Sequence, residues 1–272
     1  MMDMPQPVMF RAQGSVVMET ITSGGYYGSF DIDDGIYFSR NALKGPQGGD
    51  MSALAARQLV WEAAYSEQFA YPPEYRPNCV RVYYAAGYHV DFAVYRLTGS
   101  IFGGRTIELA SSYWKPSNPA AVTDWFREAS LKSPGWGANR QLTRMVRYLK
   151  VWCQSRSAWQ GYMPSGFALT KLVAECYRVY PERDDRALLH LVWALGERLE
   201  WDSTVKHPVM RDEYLYGPGR DAKARFLRDR IIEARVRLRP VFHSANRQDA
   251  RSCWDSFFNE DYFRSRPTVS FI

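Results

Sequence analysis

Two hydrophobic periods divide the chain. Before residue 115 the dominant pattern is alternation. Phe30-Asp31-Ile32-Asp33 and the runs Val80 to Tyr84 and Tyr88 to Tyr95 switch between apolar and polar residues, the period of a half-buried strand. Ala85-Ala86-Gly87 between the last two runs predicts a β-hairpin. Val8 to Gln13 reads as extended, and Thr106 to Ala110 adds a strand. One helix, Met51 to Phe69, interrupts them, with Leu54, Leu59, Val60, Ala63 and Ala64 at helical spacing. Gly45 to Asp50 and Gly99 to Gly104 read as turns. Beyond 115 helical spacing takes over. It predicts helices at Ala120 to Ser130, 137–154, Phe167 to Tyr180, Asp184 to Glu200, 219–239 and Ala245 to Phe258, with Lys206 to Val209 a loop. The fold class is therefore α/β and bilobal: a mixed-sheet lobe over 1–115 and an α-helical lobe over 116–272.

Composition narrows the class without deciding it. The chain has 272 residues, enough for one or two cores, and its apolar and charged fractions are those of a soluble globular protein. Nine Trp and eighteen Tyr offer stacking surfaces for bases. The net charge of +6 suits an anionic ligand but is modest for this length, so it argues for no obligatory nucleic-acid partner. Cys79, Cys153, Cys176 and Cys253 lie far apart with no metal-ligand spacing. They read as reduced thiols of a cytoplasmic protein, and a zinc site is not expected. No stretch has the apolar length of a membrane span, the start lacks a signal pattern, and there is no internal repeat.

The candidate chemistry lies in the alternating region. In a strand, Asp31 and Asp33 point to one face and repel each other unless a cation lies between them. Asp33-Asp34-Gly35 also has the composition of a plain acidic turn, and that reading stays open from this motif alone. Asp91 is the one carboxylate of the predicted hairpin, costly among Val90 and Phe92 unless paired or metal-bound. Gly14-Ser15 forms a small turn whose backbone N–H groups and hydroxyl can approach a triphosphate. Three carboxylates on neighbouring strands plus such a turn make the ligand set of a two-metal phosphoryl-transfer site, for which Mg²⁺ is the fitting ion and Mn²⁺ the substitute.

Gln13-Gly14-Ser15, Asp31-Ile32-Asp33-Asp34-Gly35 and His89-Val90-Asp91 together resemble the bacterial CD-NTases, the cyclic GMP-AMP synthase-like nucleotidyltransferases of anti-phage (CBASS) signalling. The likeness continues through Arg147 to Trp152, Met163 to Thr170, Val205 to Val209 and the closing region with Ala250, Trp254 and Phe258. It implies two Mg²⁺ ions on Asp31, Asp33 and Asp91, with Asp91 helping to deprotonate the acceptor hydroxyl. It also implies triphosphate contacts from Gly14, Ser15, Lys150 and Ser165. The implied substrates are NTPs, ATP or GTP or both, bound between the lobes. The implied product is a cyclic di- or trinucleotide that activates a downstream effector. The three carboxylates equally serve a template-independent RNA nucleotidyltransferase, or persist in a non-catalytic nucleotide sensor.

Two departures from that pattern stand out. Residues 1–13 are short and Pro-interrupted where the family carries a long bracing helix, and Glu19 stands where it usually has a small Gly. Other residues carry two readings each. Ser165 suits either phosphate binding or a plain N-cap, and Tyr113 and Trp114 suit base stacking or ordinary packing between the lobes. Arg81 reads as solvated or nucleotide-facing. Arg140, Arg144 and Arg147 form a basic stripe with Lys150 and read as a solvated face. His190 reads as packed, and His207 receives no catalytic role.

Overall fold

The computed structural model describes residues 4–22, 31–45, 47–67, 69, 71–100, 104–243 and 246–266. The chain forms two compact units, Met1–Arg127 and Glu128–Ile272. Phe30, at the head of the predicted acidic strand, and Ala245, at the head of the last predicted helix, lie outside the described residues.

The first unit is built on a mixed sheet. Strand β1 (Met9–Gln13) runs into the short helix α1 (Gly14–Val17), and β1 pairs antiparallel with β2 (Asp31–Ser39). Helix α2 (Ala53–Ala64) and strands β3 (Glu74–Tyr75) and β4 (Val80–Tyr83) precede β5 (His89–Ser100), which pairs parallel with β2 and antiparallel with β4. Strands β6 (Gly104–Ala110) and β7 (Trp114–Pro116) extend the sheet from the far half of β5. The order is β1-β2-β5-β4-β3. The acidic motif is thus strand, not turn: β2 runs unbroken through Asp33-Asp34-Gly35.

Period-two alternation gives the sheet two unlike faces. Ile36, Phe38, Val80 and Val94 point to one side and pack with Ala53, Ala56 and Val60 of α2. Each such buried aliphatic side chain contributes ~1.5–3 kcal/mol. Helix α2 starts where Ser52 accepts the Ala55 N–H, but it stops five residues short of the predicted end. Trp61 stacks on Tyr65 and Tyr75 and donates to the Pro73 carbonyl, folding the chain back over the helix end. Leu54 and Ala63, expected in the core, face outward, and Arg57 is buried instead, donating to the carbonyls of Arg76, Pro77 and Ser111. Trp114 belongs to this packing: its indole donates to the Met51 carbonyl and Arg96 covers its ring, so core packing replaces the base-stacking reading.

The second unit is helical. After α3 (Pro119–Leu131) come α4 (Gln141–Gln154), α5 (Gly166–Cys176), α6 (Asp184–Trp201), α7 (Ala222–His243), α8 (Arg247–Phe258) and α9 (Tyr262–Ser265). Leu142, Met145, Leu149, Leu172, Leu191, Leu195, Leu227 and Ile231 form its interior. The predicted helix 137–154 loses its first turn, because Arg140 is extended (ψ 139°) behind a separate 3₁₀ turn, Gly137–Asn139. Helix α5 ends early because buried Gln141 bonds Tyr177 and the Tyr180 N–H and carbonyl, drawing that segment away from helical geometry. The predicted loop at Lys206 is partly a two-stranded ribbon, β8 (Val205–Lys206) with β9 (Tyr214–Tyr216). No helix among the described residues is long and apolar enough to cross a membrane.

Candidate active site

The face of the sheet turned away from α2 carries the acidic residues. Register sets them side by side: Gln13 of β1 opposes Asp33 of β2, Asp33 opposes Asp91 of β5, and Asp91 opposes Arg81 of β4. The neighbouring row is Asp31, His89 and Tyr83. Asp31, Asp33 and Asp91 therefore share one face of two adjacent strands. Strands ~4.8 Å apart put Asp33 and Asp91 at a repulsion of about 3 kcal/mol at an effective dielectric of 20. The face must supply positive charge, and it does.

Arg81 supplies most of it. Its guanidinium grips Asp91 with both arms, at 2.7 and 2.8 Å to the two carboxylate oxygens. The pair is largely enclosed, with 19% and 13% of the side chains exposed. This bond raises the Arg81 pKa further, chiefly through the Asp91 hydrogen bonds. The Cys79 thiol also bonds Asp91, and burial first, then the nearby carboxylate, pushes it up to about 12. His89 Nε2 lies 2.6 Å from Asp31 Oδ1 but lacks hydrogen-bond alignment, so the contact is electrostatic at most. Asp31 itself stays 57% exposed.

The three carboxylates share a face of the sheet without closing on one point. Among the described residues no three carboxylate, imidazole or thiol groups converge closely enough to hold one ion. The physical reason is Arg81, which takes both oxygens of Asp91. Arg81 is thus neither solvated nor directed at a ligand. The donor set still fits a hard divalent cation: three carboxylate oxygens donors on one face, with no sulfur or nitrogen ligand needed. Asp34 is excluded from that set. It lies on the opposite face in register with Phe92, its Oδ1 buried and unpartnered. Burial raises its pKa despite backbone N–H groups of Gly35 and Arg11 that pull the other way.

Gly14 and Ser15 sit where β1 turns into α1, beside Asp33. Gly14 has φ +66°, and a Cβ there would overlap the Asp33 carboxylate, so glycine is required twice over. The turn closes by a Schellman motif: Thr20 N–H bonds the Ser15 carbonyl and Glu19 N–H the Val16 carbonyl. Glu19 occupies the left-handed position of that motif with φ 57°. The departure seen in the sequence is therefore a backbone position that suits glycine.

Behind the carboxylates lies a second set that sequence reasoning did not find. Tyr95 is buried, stacks on Tyr37 at 4.7 Å, and donates its hydroxyl to Gln13 Oε1 at 3.1 Å. Burial raises its pKa, so the hydroxyl stays protonated. A Cβ on Gly35 would meet Tyr37 at 2.8 Å and Tyr95 at 3.0 Å, which explains the glycine that ends the acidic motif. The i to i+2 rule carried part of this signal. Gly35 and Tyr37 follow Asp33 on its face, and His89 precedes Asp91 on its own.

Lys150 and Ser165 belong to the second unit. Lys150 is buried on α4, and its Nζ lies 3.6 Å from where a Gly166 Cβ would be, at the first residue of α5. Ser165 is the N-cap of that helix: its Oγ accepts the Ala168 N–H at 3.3 Å, and its own N–H donates to the Tyr216 hydroxyl. The plain capping reading of Ser165 is met. The ammonium thus lies beside the positive, N-terminal end of an 11-residue helix. Arg140 and Arg144 of the remaining stripe are structural. Arg140 donates to the carbonyls of Leu131 and Ser133, and Arg144 grips Asp184. His190 stacks on Tyr180, and His207 Nδ1 accepts two backbone N–H groups, so both are packing residues.

Residues 8–95, which include the whole acidic face, match the family model of the Cyclic GMP-AMP synthase DncV-like nucleotidyltransferase domain. Over those residues the chain is similar to a DncV-like nucleotidyltransferase domain. The fold of the whole chain agrees. Escherichia coli DncV in its 3′-deoxy GTP bound form is similar at a TM-score of 0.71 and 20% identity, covering 94% of this chain and 70% of that one. Vibrio cholerae DncV, a cyclic AMP-GMP synthase, matches at 0.70 and 19%, covering 92% and 68%. The Bradyrhizobium diazoefficiens CD-NTase CdnG in complex with GTP matches at 0.67 and 14%, covering 97% and 86%. At these identities the likeness shows a shared fold. Within the matched residues, Asp31, Asp33 and Asp91 occupy β2 and β5.

Proposed function

We propose that the protein is a metal-dependent nucleotidyltransferase that joins NTPs into a cyclic di- or trinucleotide. The observation that carries this reading is the register that lines up Asp33 with Asp91 beside the Gly14-Ser15 turn, inside a matched nucleotidyltransferase domain. Asp31, Asp33 and Asp91 would hold Mg²⁺ or Mn²⁺, which would neutralise a bound triphosphate and acidify the acceptor ribose hydroxyl. The chain's own residues do the rest. Gly14 would let the Ser15 backbone approach the phosphates, and Asp91 would take the acceptor proton. In the second unit, Lys150 and Ser165 offer a cation and a helix N-terminus suited to a phosphate. ATP and GTP are the substrates that the similar proteins suggest. The product would serve as a second messenger for an effector in anti-phage defence, in the cytoplasm.

RNA-end extension is the weaker alternative, because Arg140 and Arg144 are spent on contacts within the protein. A nucleotide sensor is favoured by one observation, the Arg81–Asp91 pair, which closes the third carboxylate. Incubation with each labelled NTP and Mg²⁺ or Mn²⁺ separates the three. Phosphatase-resistant compact products support cyclisation, a ladder on added RNA supports extension, and no turnover supports the sensor. Asp31→Asn with Asp33→Asn is expected to abolish the product while the circular dichroism spectrum is unchanged. Product from that double variant would overturn the assignment.

A further inference from the structure

We propose that a small pit on the helical unit, walled by Arg156, Arg230 and Arg237 over Trp152, binds a phosphate-type oxyanion. This goes beyond the reaction proposed above and does not rest on it. Helix α7 supplies Arg230, Glu233 and Arg237, which their spacing of three and seven residues sets on one face. The chain just after α4 supplies Arg156. Trp152 of α4 forms the floor, stacked on Phe257 of α8 at 5.1 Å. Three guanidinium groups thus share the pit with one carboxylate, and Glu233 is spent on Arg230 at 2.7 Å. The carboxylates next along the chain, Asp229 and Asp255, pair with Arg228 and Arg264 instead.

The positive charge is fixed in place. Arg156 donates to the Ser256 and Phe257 carbonyls in the last turn of α8, at 2.7 and 3.0 Å, and its guanidinium lies over the Trp159 ring. It is therefore not free to swing away from Arg237. Burial first, then the Arg237 charge, lowers the Arg156 pKa, as expected of two cations that face each other. Among the described residues Arg237 makes no ion pair or hydrogen bond of its own. Two donors point the same way. The Trp152 indole N–H and Arg230 Nε are both buried without a hydrogen-bond partner, and Trp152 is only 1% exposed. A buried donor left unpaired keeps its full desolvation cost, and an acceptor oxygen removes it. The pit has a volume of about 10 Å³, room for one oxygen, and it opens beside the exposed Arg237. A tetrahedral oxyanion can seat one oxygen there and turn the others toward the guanidinium groups. Capping of α8 accounts for Arg156 alone, and for neither Arg237 nor the two orphaned donors.

The test is thermal melting of the full chain titrated with inorganic phosphate, with ionic strength held constant by chloride. Wild type is expected to show a saturable rise in melting temperature. Arg237→Gln should melt above wild type without phosphate, because the repulsion with Arg156 is gone, and should bind phosphate about tenfold more weakly. Trp152→Phe keeps the stack on Phe257 but loses the N–H, and should weaken phosphate about threefold. Should the tryptophan variant fail to fold, the exposed Arg237 still decides the matter. Ribose 5-phosphate binding as tightly as phosphate supports a phosphate monoester as the occupant, and weaker binding supports the free anion. No saturable rise in wild type would overturn the proposal. So would an undiminished rise in Arg237→Gln that Lys150→Gln removes, since the anion then sits beside α5. Neither result bears on the nucleotidyltransferase reading, which is tested by turnover.

Discussion

Two bidentate arginine–aspartate pairs, built from the same chemistry, sit in opposite surroundings. In the helical unit Arg144 grips Asp184, which also receives bonds from Gln141 and Tyr148, and Arg144 donates a further bond to the Asn139 carbonyl. In the sheet unit Arg81 grips Asp91 in the same row as the carboxylate of Asp33, with the Cys79 thiol as a further contact. The first pair ties three segments together. The second restrains a group that the neighbouring charges repel. A satisfied network holds a fold together, whereas a pair formed only to offset repulsion is open to exchange.

The largest expected effect separates the two pairs directly. Arg144→Gln leaves a partly buried carboxylate with fewer partners and is expected to cost about 2–3 kcal/mol. Arg81→Gln is expected to cost a comparable amount in metal-free buffer. Saturating Mg²⁺ should restore most of the loss for Arg81→Gln and none of it for Arg144→Gln. Melting curves with and without the ion check this. Equal behaviour of the two variants would erase the distinction drawn above.

Acid sharpens the same contrast. Burial works to raise the Asp184 pKa, but the bonds from Arg144, Gln141 and Tyr148 outweigh it and hold the carboxyl below its ordinary value. A depressed folded pKa means that this stability is complete above about pH 4, the unfolded value, and is lost as pH falls through the folded one. Asp184→Asn should therefore melt well below wild type at pH 7, with the gap closing as pH drops below about 4. Asp34 has the opposite sign. Its raised pKa means that its ionised form weakens the sheet unit, so Asp34→Asn should gain stability at pH 7 and lose that advantage below about pH 4.

How much of this was legible in the sequence follows from the range of each interaction. Strand alternation and the Ala85-Ala86-Gly87 turn placed β2, β4 and β5 and put Asp31 and Asp33 on one face. Taken one step further, the same hairpin register would have set Arg81 opposite Asp91 and His89 opposite Tyr83. Taken without that register, the arginine reads as solvated or nucleotide-facing. The early ends of α2 and α5 were not legible, because each is set by a distant partner: Tyr75 stacking on Trp61, and Gln141 bonding Tyr177 and Tyr180. The Tyr95–Gln13 bond spans 82 residues and leaves no local trace.

That bond gives a smaller, more local prediction. Tyr95→Phe removes one hydroxyl and leaves the stack on Tyr37 in place. The expected stability loss is about 1 kcal/mol. Gln13 is adjacent to Gly14 and opposite Asp33, so slackening it should lower kcat about tenfold with little change in KM, a loss of about 1.4 kcal/mol in the transition state. A drop in stability with both kinetic constants unchanged would reduce Tyr95 to packing alone.

The smallest effect comes from a second matched pair, this time of helix ends. Helix α8 ends at Asn259 in the left-handed region, with the Glu260 N–H reaching back to the Asp255 carbonyl and the Asn259 side chain donating to Ser155. Asparagine tolerates that geometry. Helix α1 ends the same way at Glu19, which has no such tolerance. A left-handed L residue costs ~1–2 kcal/mol, and glycine returns ~0.5–1 kcal/mol of that as extra freedom in the unfolded chain. Glu19→Gly should therefore stabilise the sheet unit by up to about 1 kcal/mol, a rise of roughly 2–4 °C in its melting transition. Glu19 makes a side-chain or electrostatic contact of its own, which places the gain toward the lower end. Asn259→Gly is expected to lower the melting transition instead, because it deletes the bond to Ser155. A fall in melting temperature for Glu19→Gly would mean that the Glu19 contact outweighs the backbone strain, and that the two helix ends are equally well made.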